Sequence, residues 1–349
     1  MSRDRALVIG IVGLIGCAIG LVLAPRDALI AWLVAWIAWG AIPIGALALL
    51  MTLSLIPGTW RAFYARPVAI GASLMPLVAI AMIPLLAGVA LIYPWTNPAV
   101  TADYAAFKGA WLSTGFFVAR TIVYLVVLCA FAWGLLTAEP RLRAAIAAVG
   151  VIVYALVGSL IGIDFAETTD PGFHSSIYGL LILAGQWMAA LGFGIAVGCG
   201  VERKPPGLAA AGVLMVALLA WIYLHAMQFI VIWSADIPDE VVWYLARGTN
   251  GWEFVTALLF LAQGIAPFFA MLSPSVRSSP KAMTAIALVT LAMRPVEAAW
   301  FILPNQHGGW AAWVLGALAL VAMAGLGGAA IAWVRNRRPA WIDGDRFFA

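Results

Sequence analysis

The sequence predicts an all-α, polytopic membrane protein of ten transmembrane helices. Three observations predict it. The 349-residue chain is 65% hydrophobic and only 10% charged, with a mean hydropathy of +1.04. Soluble domains carry about 25% charged residues, and no soluble core absorbs this much apolar surface. Apolar runs of membrane-spanning length recur ten times along the chain. The cations, finally, segregate to one side of those runs, as loop charges of a membrane protein do.

The elements follow in order. Arg3 and Arg5 precede the first run, 6–24. It has the look of a signal peptide, but it is long enough to span, and the "APR" after it is a poor cleavage site. A retained first helix is expected. The remaining runs fall at 28–56, 68–93, 111–137, 144–166, 176–200, 208–234, 252–272, 282–303 and 311–334. Turn-forming segments separate several of them: "IPG" at 56–58, "YPWTNP" at 93–98, "AEPR" at 138–141, "RKPPG" at 203–207, "SPSVRSSPK" at 273–281 and "LPNQHGG" at 303–309. Pro43 and Pro267 are expected to interrupt helices 2 and 8. Trp95, Trp111, Trp252, Trp310 and Trp341 sit at run ends, where interfacial anchors belong. "GLGG" at 325–328 lies inside the last run and reads as small-residue helix packing. The whole chain, 1–349, is a single integral membrane domain.

Charge sets the topology. Fourteen Lys and Arg fall on the side of the N-terminus: Arg3, Arg5, Arg61, Arg66, Arg141, Arg143, Arg203, Lys204, Arg277, Lys281, Arg335, Arg337, Arg338 and Arg346. The opposite side holds Arg26, Lys108 and Arg247, and Arg120 and Arg294 fall within spans. The positive-inside rule then places both termini in the cytoplasm and supports an even number of spans. The net charge of +4 therefore reports topology and gives no reason to expect nucleic acid. Many acids lie on the outer side or its edge: Asp27, Asp103, Asp164, Glu167, Asp170, Asp236, Asp239 and Glu240. They serve loop solubility, a docking face for an extracytoplasmic partner, or a rim that takes up protons. Asp236, Asp239 and Glu240 are the partner-facing candidates.

Ionisable groups inside a bilayer are costly and mark function by default. Few exist here. Arg120 and Tyr124 share one face of helix 4. Asp164 closes helix 5. His225 and Gln228 lie in the outer half of helix 7. Arg294 and Glu297, three residues apart, share a face of helix 9. All fall in the outer half or near the midplane, as one polar cluster reached from the outer side. Bland readings are open for each: a packing ion pair for Arg294 with Glu297, a hydrogen-bonded core histidine for His225, packing alone for Arg120 with Tyr124. A membrane haem needs two axial ligands on facing helices. His174 and His307 fall in loops and His225 stands alone, so no haem is expected. Cys17, Cys129 and Cys199 form no CxxC pair, so neither an iron–sulfur cluster nor a metal site is expected; the bland reading is buried inert thiols. No dinucleotide, P-loop, zinc-protease or nucleophile-elbow motif stands in a meaningful context.

Several stretches carry a family pattern. Helix 2 reads "AWLVAWIAWGAIPIGALALLMTLSLIPGTW", followed by "RPVAIGASLMPLVAIAMIPLLAGVALIYPW". "FKGAWLSTGFFVAR" opens helix 4, "GIDFAETTDPGFHSSIYGLLILAGQ" joins helices 5 and 6, and "QFIVIWSADIPDEVVWYL" ends helix 7. In order and spacing, over roughly residues 28–305, these resemble the polysulfide-reductase-like (NrfD-like) membrane subunits of alternative complex III, a bacterial quinol:cytochrome c oxidoreductase. The resemblance is closest to its second quinone-binding-type subunit. The chain departs from the family pattern at Gly172, Phe173 and His174, where the family often has an aromatic pair following a histidine.

The resemblance implies two four-helix bundles, helices 2–5 (28–166) and 6–9 (176–303), with helices 1 and 10 peripheral. It implies a multi-pass subunit of the bacterial cytoplasmic membrane with no redox cofactor of its own. Its partners would be the lipid bilayer, a homologous ten-helix subunit, an extracytoplasmic iron–sulfur protein and c-type cytochromes, with a terminal oxidase as a further partner. Quinol would be oxidised near the outer face. In that setting His225, Asp164 and Glu297 are proton-relay candidates, and Arg120, Tyr124, Gln228 and Arg294 are candidates for a quinone pocket or its polar surround. Two other readings stay open: a stand-alone transporter or proton carrier, and a purely structural assembly subunit. The stretch after His225 is expected to leave the membrane at Trp233, turn to water or a partner at "ADIPDE", and lay "VVWYL" along the surface before helix 8 enters at Trp252.

Overall fold

The computed structural model describes residues 2–102, 104–306 and 310–343, Trp310 by its backbone alone. Asp103, His307 and Arg346, placed above in loops and at the terminus, lie outside these residues. Among the described residues every regular element is helical, and ten helices are long and apolar enough to cross a membrane. They are α1 (Arg3–Leu23), α2 (Pro25–Leu55), α3 (Trp60–Ala87), α4 (Thr114–Thr137), α5 (Pro140–Thr169), α6 (Tyr178–Val201), α7 (Gly207–Ala235), α8 (Trp252–Leu272), α9 (Pro280–Asn305) and α10 (Ala311–Arg337). Ten crossings bring the chain back to its starting side. That side is called the terminal face below, and the other the far face.

Helix starts follow local chemistry. Pro25, Pro140 and Pro280 stand at the first helical position of their helices, where a missing N–H costs nothing. Ser279 caps α9, its hydroxyl accepting from the Ala282 amide at 3.3 Å. α3 begins about two turns before the expected run, so Arg61 and Arg66 lie within the helix. Two contacts hold that early turn: the Tyr64 hydroxyl donates to the Ala210 carbonyl at 3.0 Å, and Arg66 pairs with Glu202 at 3.3 Å.

Proline acts differently from place to place. α2 runs unbroken through Pro43, against the expected interruption. α3 is kinked into Trp60–Ala72, Met75–Ala81 and Ile83–Ala87, with Pro76 and Pro84 each one residue into a new piece. At the second break the Met82 amide bonds back to Ala79, freeing the Val78 carbonyl, and the Trp36 indole of α2 donates to it at 3.0 Å. Trp32 does the same for Ala81 at 2.7 Å. α2 therefore staples the broken helix, satisfying buried carbonyls that lipid could not. In α8 the residues Leu259–Ile265 widen into a π-helical turn just before Pro267, the local adjustment a proline induces.

α2 is the most buried of the ten helices and α1 the least. α2 packs on α3, α5, α6, α9 and α10. α3 meets α4, and α4 meets α5; α6 packs on α7 and α9, and α8 touches both. α1 packs mainly on α10, with a smaller contact to α2. The seam is glycine-lined: a Cβ on Gly13 would come within 2.5 Å of the Ala322 amide nitrogen, and Gly325 lies against the Gly10 backbone. Only glycine permits such a backbone approach, the membrane form of small-residue packing.

Candidate functional site

The candidate residues separate into two buried clusters. The first joins α4 and α5. Arg120 grips the Asp164 carboxylate with two bonds, Nε to Oδ2 at 2.9 Å and Nη2 to Oδ1 at 3.0 Å. Trp111 Nε1 donates to Oδ1 at 3.0 Å, and the Tyr124 hydroxyl to Oδ2 at 3.2 Å. The remaining guanidinium nitrogen, Nη1, donates to the Trp111 carbonyl, and the guanidinium lies 4.5 Å from the Trp111 ring. Every polar atom of Arg120 and Asp164 is satisfied. Such a network is rigid and holds its charge in place. Its effect is to fix Trp111.

The second cluster joins α7 and α9. Glu297 accepts from Arg294 and from the Trp221 indole, and His225 Nε2 lies 3.2 Å from its Oε1. A carboxylate holding Arg294 only accepts, so Nε2 is the donor and the neutral ring keeps its lone pair on Nδ1. That nitrogen is buried without a partner, as is Arg294 Nη2. Trp221, Phe260, Trp300 and Phe301 box the imidazole, with ring centres 4.5 to 5.9 Å away. A cavity of about 20 Å³ beside Arg294, Glu297 and Gly185 is large enough for one water. A side chain at Gly185 would crowd it: a Cβ there would lie 3.1 Å from Arg294 and 3.3 Å from Glu297. Unlike the first cluster, this one has an open proton-accepting atom.

Asp164 thus lies in the Arg120 group, apart from the His225 group, and the single cluster read from sequence becomes two. A further line of polar groups begins one helical turn from the second cluster and runs to the far face. Gln228 sits one turn beyond His225 on α7. Its Oε1 accepts from the Ser175 hydroxyl at 3.2 Å, and the Ser175 amide donates to Glu167 Oε1 at 2.8 Å. Gln228 Nε2 and Glu167 Oε2 have no partner. Tyr244 lies beside the Gln228 amide; burial pushes its phenol up to about 12, so it stays neutral.

Glu167 opens onto a pocket of about 300 Å³ at the far face. Its apolar walls include Trp95, Phe107, Trp111 and Phe173, and its polar groups include Glu167, Asp170, Lys108 and His174. Lys108 Nζ lies 2.9 Å from His174 Nε2. An ammonium has only donors, so this nitrogen accepts and the neutral ring carries its proton on Nδ1. The volume is that of a small-molecule site, apolar with a few placed polar groups. Trp111 is shared: it walls the pocket and anchors the Arg120–Asp164 cluster.

The acidic stretch after α7 is mostly open. Asp236 ends α7 in a left-handed conformation (φ 48°), and Asp239 and Glu240 occupy the first turn of a short helix, Pro238–Leu245, where acids suit the helix dipole. Asp236 and Asp239 are exposed and Glu240 is half-buried. The segment does not simply lie along the surface. Trp243 turns inward and stacks on Phe173 with ring centres 4.4 Å apart. Trp233 is exposed, as an anchor would be, whereas Trp95 is buried and stacked on Tyr93.

Arg247 is a structural residue the sequence reading passed over. Pro304 has no N–H to offer the Trp300 carbonyl four residues back, and Arg247 Nε supplies one at 2.9 Å. Its Nη2 donates to the Phe301 carbonyl at 2.8 Å. A signal was present: Arg26, Lys108 and Arg247 are the three cations assigned to the charge-poor side, and each has a dedicated partner. Arg26 donates to Gln306 at 2.8 Å and Lys108 meets His174. Glu167, Ser175 and Trp221 were missed for a different reason, because only the fold brings them to Gln228 and Glu297.

Among the described residues no three His, Cys, Asp or Glu side chains converge as a metal site. No protein-family model matches the chain, and no curated protein matches it at a significant level. The family resemblance rests on the motifs quoted above.

Proposed function

We propose that the chain is a membrane subunit of a quinol:acceptor oxidoreductase of the alternative-complex-III type, and that quinol binds in the far-face pocket. The observation that carries the reading is the pocket itself. It pairs aromatic walls with Glu167, whose Oε2 is buried without a partner, and is lined as well by the Lys108–His174 pair. Quinol oxidation needs an apolar slot for the ring and a base within reach of each hydroxyl. Glu167 is the base for one hydroxyl and passes its proton along the line of Ser175 and Gln228 toward Nδ1 of His225; the second proton goes to the His174 imidazole on the exposed rim and from there to water. Glu297, held by Arg294, stabilises the imidazolium that forms. Arg120 and Asp164 position Trp111. Two electrons leave to redox centres of an extracytoplasmic iron–sulfur partner and onward to c-type cytochromes, so the chain needs none of its own.

In this reading the far face is extracytoplasmic, both termini are cytoplasmic, and the membrane is a bacterial inner membrane. The charge asymmetry supports the orientation. The exposed Asp236 and Asp239 with Glu240 form part of the partner-facing rim. The test is quinol turnover by the purified complex and photolabelling with an azido-quinone. Labelling should concentrate in 104–112 and 163–174. Glu167→Gln should lower turnover at least about a hundredfold, the usual contribution of a general base. His225→Leu and Glu297→Gln should lower it with assembly intact. Unchanged turnover in all three, or a purified chain that moves solute without partners, overturns the proposal.

A further inference from the structure

A cleft opens on the flank of the molecule at the terminal end, between α10 on one side and α3 and α4 on the other. Its volume is about 690 Å³. Leu77, Ile80, Trp133, Ala330 and Trp333 are among its lining side chains, and its one hydroxyl, Ser73, donates to its own helix at Ile70 (2.7 Å). Ile80, Trp133 and Trp333 are 59%, 60% and 41% exposed, so the cleft faces the bilayer sideways. The short turn Pro339–Ile342 packs on α3, α4 and α10 and closes its terminal end. There Trp341 meets Trp133 edge-on, with ring centres 5.3 Å apart.

An apolar slot at membrane depth is filled by an acyl chain or by a neighbouring helix, and the charges at its mouth favour the first. Ala330 and Val334 lie on the cleft face of α10, and Arg337 follows three residues later on the same face. Arg338 comes next, its guanidinium 5.4 Å over the Trp341 ring that rims the cleft. Both arginines are exposed. Two guanidiniums at headgroup depth, above a chain-sized slot, match a phosphodiester with its acyl tail. We propose that this cleft binds an anionic phospholipid of the terminal-side leaflet, one acyl chain in the slot and the phosphate on Arg337 and Arg338.

The experiment uses the full chain in micelles of a neutral detergent, titrated with dioleoyl phosphatidylglycerol or dioleoyl phosphatidylcholine and read by native mass spectrometry. Wild type should retain one phosphatidylglycerol at a concentration about tenfold lower than phosphatidylcholine, a size in keeping with two interfacial arginines. Arg337→Gln combined with Arg338→Gln should bring the two lipids within about twofold of each other. Ala330→Phe, which fills the slot, should abolish the retained lipid of both kinds. Equal retention by wild type overturns the proposal. So does a preference that survives the double arginine change, which alters only exposed side chains and leaves the fold intact. A protein partner lost on Ala330→Phe with lipid retention unchanged assigns the cleft to a neighbouring helix and likewise overturns it.

Discussion

Replacing Asp164 tests the strongest energetic statement the structure makes. Asp164 is fully buried and Arg120 nearly so, joined by two bonds of 2.9 and 3.0 Å. Asp164→Leu removes the carboxylate and strands the guanidinium, and an uncompensated buried charge costs about 3–5 kcal/mol. Trp111 and Tyr124 also lose their acceptor, about 1 kcal/mol each. The single change should therefore destabilise by about 5–7 kcal/mol, close to the whole stability of many domains. Arg120→Met should cost less, about 2–3 kcal/mol, because the orphaned Asp164 carboxyl can take a proton. The double change removes both charges and leaves the orphaned Trp111 and Tyr124 donors and the Trp111 carbonyl, so its cost should fall to about 3 kcal/mol. The coupling energy in a double-mutant cycle then comes out at about 5–6 kcal/mol. Reversible unfolding in mixed micelles by a denaturing detergent measures all four corners. Additive single costs, with coupling within about 0.5 kcal/mol, would refute the argument.

The other predictions concern separate links. Gly13→Leu should separate α1 from α10, exposing cysteine-substituted α10 positions to thiol labelling while leaving the remaining helices assembled; unchanged labelling would rule against the glycine seam. Trp36→Phe keeps an aromatic ring but strands the Val78 carbonyl and leaves a small void, and should lower stability by at least about 1–3 kcal/mol, read by the same unfolding assay. Arg247→Gln should loosen the far-face end of α9, seen as faster amide hydrogen exchange near Trp300 and Phe301; exchange equal to wild type would argue against the carbonyl cap. Gly185→Ala should perturb quinol turnover through the Arg294–Glu297 pair while leaving Asp164-dependent stability unchanged.

The sequence alone determined the number of crossings, because ten apolar runs in a chain with so few charges admit one physical solution in lipid. It also determined which residues are buried against expectation, since a charge within an apolar run stands out without any fold. Arg120, Asp164, His225, Arg294 and Glu297 all prove buried. The small-residue stretch 325–328 was legible for the same reason: Gly325 meets Gly10 across the α1–α10 seam. Proline was less legible. Pro43 and Pro76 have the same local chemistry, yet α2 absorbs the first and α3 breaks at the second, because the response depends on what packs alongside.

Pairing belonged to the tertiary structure. Depth along a helix can be read from sequence, but azimuth against a neighbour cannot. Asp164 and Glu297 therefore looked like members of one cluster and belong to two. The pocket was invisible for that reason too. Its residues span 95–174 and come from loops and helix ends, where no periodicity marks them. Glu167, one of several acids on the far side, gains its meaning only when the Ser175 amide holds one oxygen and the other is buried without a partner. Composition and period place groups in the membrane, whereas three-dimensional packing decides which atoms are satisfied and which are left to react.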